Sequence, residues 1–217
     1  MDPIAVASAA GQALRDVGWP GISLMQHEFQ LELVRLADGR DDAMEPAVSG
    51  WYETRRSKVA AELRSRLTSY MIDHMAPTAR VAMSEALANY EQGNYLSVVR
   101  TLMPEFEAFA RNIYQGGRTR PKQSDVLTWL KGVIAALPVT GDSAIELFSL
   151  YHFIDDKLFA TCSTAEDAKG LGDVANRHAE MHGLASYGHL KGATTLLCVT
   201  GFLIRLMDNY RGLLAAE

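Results

Sequence analysis

Apolar positions along this chain return at steps of three and four, and strand-like alternation is scarce. The segment from Tyr95 to Tyr114 shows this most clearly: Tyr95, Val98, Leu102, Phe106, Phe109 and Ile113 form one stripe, the mark of a helix laid on a core. Pro104 falls inside that stripe and is expected to kink the helix or to begin a second one. Near the C-terminus Leu196, Val199, Leu203, Leu206 and Tyr210 repeat the pattern, which predicts a last core helix with Gly192 and Gly212 at its boundaries. Residues 126–137 and 144–158 each offer a further stripe, and Gly116-Gly117 and Thr140-Gly141-Asp142 supply turn chemistry between them. Proline tolerates the first turn of a helix, so Pro3, Pro46, Pro77 and Pro121 are expected to mark helix starts. Long helices joined by short turns imply an all-α fold, an up-and-down bundle.

The polar positions change character near residue 76. Before it, Arg55, Arg56, Lys58, Arg64 and Arg66 crowd into one helical stretch interleaved with Glu53 and Glu62. The plain reading is a solvated helix face laced with ion pairs four residues apart; the functional one is a rim that tracks phosphates. The shift divides the chain into an expected N-terminal helical extension, 1–75, and a bundle, 76–217.

Composition narrows the classes. At 217 residues, 48% hydrophobic and 22% charged, the chain suits one large domain or a core with an extension, and lies far from disordered or collagen-like sequences. No stretch reaches the roughly 20 uninterrupted apolar residues of a membrane span. The best candidate, Ala193 to Leu206, is broken by Thr194, Thr195 and Thr200 and meets Arg205. Asp2 and the lack of a basic residue before Arg15 do not fit the start of a signal peptide, so a cytoplasmic protein without a membrane partner is expected. Cys162 and Cys198 lack metal-ligand spacing and read as small buried hydrophobes. With net charge −5 no general positive field draws polyanions, and any such site must be local.

One segment rises above a generic helical domain: Asn176-Arg177-His178-Ala179-Glu180-Met181-His182-Gly183. Residues 165–174 read as helical, and Gly183 as the left-handed cap that ends that helix, which puts His182 in a final turn whose partial negative charge favours imidazolium. Arg177 stands five residues earlier, about 140° away around an ideal helix. The two converge if the arginine folds round, the helix loosens, or a second subunit shares the site. A guanidinium fork grips phosphate and a histidine moves a proton to or from a ribose or leaving oxygen, a pairing suited to phosphodiester cleavage without a metal. The plainer account has Arg177 paired with Glu180 or Asp173 and both histidines bonded to backbone at a helix end.

Arg177 to His182 fits the R-x4-H motif and resembles the HEPN ribonucleases, all-helical domains of toxin-antitoxin pairs, abortive-infection proteins and CRISPR-associated effectors. The wider string Asn176-Arg177-His178, then His182-Gly183, then Tyr187 and a Leu-rich terminal helix is similar to the N-R-H-x3-H-G variant of bacterial HEPN-like proteins. Tyr90 to Tyr95 and Leu102 to Glu107 resemble the region those proteins carry upstream. The resemblance covers roughly residues 76 to 217. It implies a helical bundle that dimerises so that two motifs face one RNA-cleaving cleft, and metal-independent attack of the ribose 2'-hydroxyl on the adjacent phosphate, with no cofactor. It implies that Arg177 positions the phosphate, His182 acts as acid and base, and Asn176 orients them or the substrate. Many members carry Asn directly after Arg; here that place is His178, either a second catalytic group or a spectator. His189 and Lys191 are the expected RNA-binding neighbours, with Arg118, Arg120 and Lys122 as further cations. Glu107 is a candidate support for Arg177 or His182, with Arg111 as its plainer partner. An antitoxin or other regulatory protein is the partner the resemblance implies besides RNA and a second copy.

Two rivals use the same residues. A catalytically silent HEPN-like binding or dimerisation module keeps the bundle and loses turnover. A helical metal-binding protein would use His178 and His182, four apart on one face, with His189, His152 or Asp155-Asp156. It lacks the H-E-x-x-H order of zinc proteases, since Glu180 is second after His178, and the paired Glu-x-x-His motifs of di-iron bundles.

Overall fold

The computed structural model describes residues 2–20, 24–39, 41–113, 123–137, 147, 150–171, 175–181 and 183–214, and among these there are helices and no strand. The all-α expectation holds. In chain order the helices are α1 (Pro3–Asp16), α2 (His27–Ala37), α3 (Asp41–Thr54), α4 (Arg56–His74), α5 (Pro77–Glu91), α6 (Tyr95–Ile113), α7 (Gln123–Ala136), a π-helical turn Ile154–Leu158, α8 (Ala165–Gly170), α9 (Arg177–Met181) and α10 (Leu190–Leu214).

Local sequence explains most of the boundaries. Asp2 accepts the Ile4 amide at 3.2 Å and Pro3 opens α1, while Pro77 opens α5; both lie where a missing N–H is harmless. Pro46 does not: it sits inside α3, which begins at Asp41. Pro104 likewise lies within a single helix, α6, because the stripe around it buries Val98, Val99, Leu102, Met103, Phe106 and Phe109 and tertiary packing outweighs the lost backbone bond. The turn between α5 and α6 needs Gly93, whose φ is +77°.

The terminal helix is the centre of the molecule. Ala193, Thr195, Leu196, Leu197, Val199, Thr200, Leu203 and Ile204 are all fully buried, so α10 is sheltered on every side across residues 193–204 rather than along one stripe, as a helix at the heart of a bundle must be. It runs through both Gly192 and Gly212, which were expected at its ends. Helices α3, α4, α5 and α6 pack around it. This placement accounts for the apolar run from Ala193 to Leu206, and among the described residues no helix is long and apolar enough to cross a membrane. Cys162 and Cys198 are buried free thiols. Tyr90 of α5 and Thr194 of α10 share a buried hydrogen bond at 2.9 Å, and burial holds the Tyr90 phenol well above its ordinary range.

The compositional change near residue 76 does not mark a gap in the core. One apolar cluster runs from Ala10 to Leu206, and α3 and α4 lie directly on α10, so residues before 76 close the same bundle. Trp19 stacks on Tyr52 with centroids 5.0 Å apart, and the Tyr52 hydroxyl donates to the Pro20 carbonyl at 2.9 Å. The basic stretch behaves as a solvated face for the most part: Arg66 pairs with Glu62 at 2.6 Å, Arg56 with Glu53 at 3.4 Å and Arg64 with Glu91 at 3.0 Å.

Helix α8 opens on a capping box: Thr164 accepts the Asp167 amide at 3.1 Å, and Asp167 accepts the Thr164 and Ser163 amides at 2.8 and 2.9 Å. Those bonds, the Ser163 amide first, hold the Asp167 carboxyl below the usual range. A depressed acid contributes above its unfolded pKa and stops contributing as pH falls through its folded one. We therefore expect the Ser163 and Thr164 amide resonances to titrate together below about pH 3.9, the ordinary aspartate value. Asp167→Asn should abolish that transition; its persistence would assign it to another group.

Candidate functional site

Residues 176–192 form one corner made of α9, the turn that follows it, and the first turn of α10. Helix α9 is only five residues long. The helix expected over 165–174 stops at Gly170, so Arg177 and His178 sit on a short separate helix whose two ends are each fixed by an identifiable device.

The first device is Asn176, fully buried. Its Oδ1 accepts the Ala179 amide at 2.8 Å, the N-cap bond of α9. Its Nδ2 donates to the Lys157 carbonyl at 2.7 Å and to the Ala160 carbonyl at 3.0 Å. Two carbonyls on one side and an amide on the other dictate which atom is oxygen and which nitrogen. Those carbonyls belong to the end of the π-helical turn and the residues after it, where helical carbonyls lack partners of their own. Asn176 thus closes one element and opens the next; it acts through the helix that it caps, and its amide is not presented to a substrate.

The second device is Gly183. It has φ +67°, its amide donates to the Glu180 carbonyl at 3.2 Å, and the Leu184 amide donates to the Ala179 carbonyl at 2.9 Å. This is the left-handed C-terminal cap expected at Gly183, with both bonds of the Schellman arrangement.

Between the two caps, Arg177 and His178 are half-buried and reach the surface, whereas Ala179 is buried beneath them. His182 lies outside the described residues, as do the side chains of Glu107 and Arg111, and Arg118, Arg120 and Lys122. The Glu180 carboxylate accepts the Tyr187 amide at 2.9 Å, which ties α9 to the following turn. The sequence offered Glu180 as a partner for Arg177, and this tie to the Tyr187 backbone is additional.

His189 and Lys191 are brought to this corner at the start of α10. The Nδ1 of His189 accepts the Gly192 amide at 3.3 Å, which makes His189 the N-cap and requires the lone pair on Nδ1; in the neutral ring the proton then sits on Nε2. Its ring stands edge-on to buried Tyr187, centroids 6.2 Å apart. Lys191 is turned the other way. Its side chain is 11% exposed and bound to Glu45 at 2.9 Å, and it lies over the Trp19 ring at 5.6 Å. The same Glu45 oxygen accepts Trp19 Nε1 at 2.9 Å. A lysine so committed is a fastener between α3 and α10, and the expectation that it holds RNA is corrected accordingly.

Among the described residues the candidate metal ligands form no cluster. His152 faces Asp156 at 3.9 Å with both side chains well exposed, Tyr151 reaches Asp155 at 3.5 Å, and no group of three metal-ligating side chains gathers among the described residues. The described side chains of this corner are thus a half-buried arginine and a half-buried histidine on a capped turn, with His178 Nδ1 turned inward. Comparison with protein-family models, with curated proteins and with solved structures finds no match.

Proposed function

We propose that this chain is a HEPN-like endoribonuclease that cleaves single-stranded RNA without a metal, through an R-x4-H site completed by a second copy, in bacterial defence or a toxin-antitoxin system with a regulatory partner. The observation that carries the reading is the half-buried Arg177 at the first position of a helix capped by Asn176 and by left-handed Gly183. Catalysis by positioning requires such fixed geometry, because a group that wanders loses the advantage of proximity. Arg177 grips the phosphate. The 2'-oxygen attacks phosphorus and loses its proton, the 5'-oxygen departs and gains one, and His182 serves that transfer, with His178 as the second imidazole.

The experiment is cleavage of mixed single-stranded RNA in EDTA by the wild type, Arg177→Ala and His182→Ala, with analysis of the product ends. The wild type should leave cyclic phosphates, and loss of the charged donor in Arg177→Ala should slow cleavage on the order of a hundredfold or more. A rate unchanged in both variants would remove the site assignment. A silent HEPN-like binding module is the second reading, favoured by the commitment of Lys191 to Glu45, which leaves the corner with one cation fewer for RNA. A folded dimer by light scattering that cuts nothing would select it.

A further inference from the structure

Helices α3 and α4 follow each other with only Arg55 between them, so Trp51, Arg55, Lys58 and Val59 recur at helical spacing and share a face. Leu24 and Met25, from the segment before α2, stand opposite. Together they enclose most of a cleft of about 370 Å³, completed by Gln26, Glu62 and Arg66, a size near the lower end of the roughly 300–1,000 Å³ typical of small-molecule sites.

The chemistry of the walls is divided. Met25, Val59 and Trp51 are buried apolar groups. The rim carries three cations, Arg55, Lys58 and Arg66, against one carboxylate, Glu62, and that carboxylate is taken by Arg66 at 2.6 Å. Arg55 lies over the Trp51 ring at 5.1 Å and donates to Thr54 at 3.1 Å. Among the described residues no carboxylate meets Arg55 or Lys58, in a chain whose net charge is −5. Excess positive charge at the mouth of an apolar recess calls for an anion with an apolar body. Phe29 stacks on the Trp51 indole, centroids 5.5 Å apart, so the ring is already engaged and is no open platform for a nucleobase.

We propose that this cleft binds a small amphipathic carboxylate, its apolar body against Met25, Val59 and Trp51 and its carboxylate between Arg55 and Lys58. The site shares no residue with the Asn176 to Lys191 corner and does not rest on the ribonuclease reading. A guanidinium edge and an ammonium supply charge-assisted bonds to the two carboxylate oxygens, while the apolar body displaces water from the recess.

The test titrates the full chain with 4-phenylbutyrate and with 4-phenylbutylamine, its cationic counterpart, by calorimetry and by the indole N–H resonances. The carboxylate should bind saturably and move the Trp51 indole signal, leaving those of Trp19 and Trp129 in place, and the amine should not bind. Lys58→Glu, at an exposed helical position, should weaken carboxylate binding about tenfold or more. Lys169→Glu, the same charge change at another exposed site, should leave it unaltered. Equal binding of acid and amine, absence of binding at millimolar concentration, or equal weakening by the two lysine variants would overturn the proposal.

Discussion

Asn176→Ala is expected to lower the unfolding free energy by about 2–3 kcal/mol, since a lost N-cap costs about 0.5–2 kcal/mol and a carbonyl left without its donor about 1 kcal/mol where, as here, it is only partly buried. All three bonds, to Ala179, Lys157 and Ala160, belong to a side chain with no exposure, and truncation removes them together. The measurement is urea unfolding, read as a lower midpoint at unchanged slope; a loss under about 1 kcal/mol would mean that the carbonyls find other donors. Asn176→Asp separates the two halves of the role. Aspartate caps a helix as well as asparagine, but at neutral pH it turns a carboxylate toward two carbonyl oxygens. Burial and those oxygens raise the folded pKa of the introduced carboxyl. A raised folded pKa means that its stability is greatest below the unfolded value, about 3.9, and declines as pH rises through the folded one. The variant should therefore regain part of its loss on acidification, when the protonated acid can donate to one carbonyl, whereas Asn176→Ala should show no such recovery relative to the wild type. On the ribonuclease proposal, RNA cleavage should fall in both variants in step with the order of α9, because Asn176 acts on Arg177 through the helix.

What the sequence made legible was whatever is written locally. Helical periodicity located α6, α7 and α10, Pro3 and Pro77 marked helix starts, and Gly183 announced a left-handed cap, because each of these depends on a few consecutive residues. What it hid depends on distant partners. Lys191 looked like a cation awaiting phosphate; its carboxylate, Glu45, is 146 positions away, and the Trp19 indole that covers it is farther still. The contact of α3 and α4 with α10 was hidden for the same reason, since a change in surface charge near residue 76 says nothing of what the opposite face of α4 packs against. Asn176 read as a chemical group because asparagine beside arginine and histidine suggests a site; burial, invisible in the sequence, makes it a joint. Pro46 misleads in the opposite direction: a local rule gave way to packing that only the assembled bundle supplies.

Gly192→Ala should be the most damaging single methyl in the described structure, costing about 2–4 kcal/mol. A Cβ at Gly192 would stand 2.3 Å from the Tyr187 carbonyl oxygen and 2.9 Å from its Cβ. The first of these is backbone, which cannot rotate away as a long side chain does. The turn is already fixed: the His189 amide donates to that same carbonyl at 2.8 Å, and the Gly192 amide reaches His189 Nδ1. Relieving the clash would thus move residues 187 and 189 together and strip the N-cap from α10, the helix on which α3, α4, α5 and α6 all rest. The effect comes from position and not from glycine chemistry at large. Gly132, in α7, has nothing within 4 Å of a would-be Cβ, so Gly132→Ala should stabilise by about 0.5–1 kcal/mol through the entropy of the unfolded chain. Thermal and urea unfolding of the two variants side by side makes the comparison. Opposite signs would show that the close approach of residues 187 and 192 sets the entry of α10 into the bundle, and equal shifts would show that it does not.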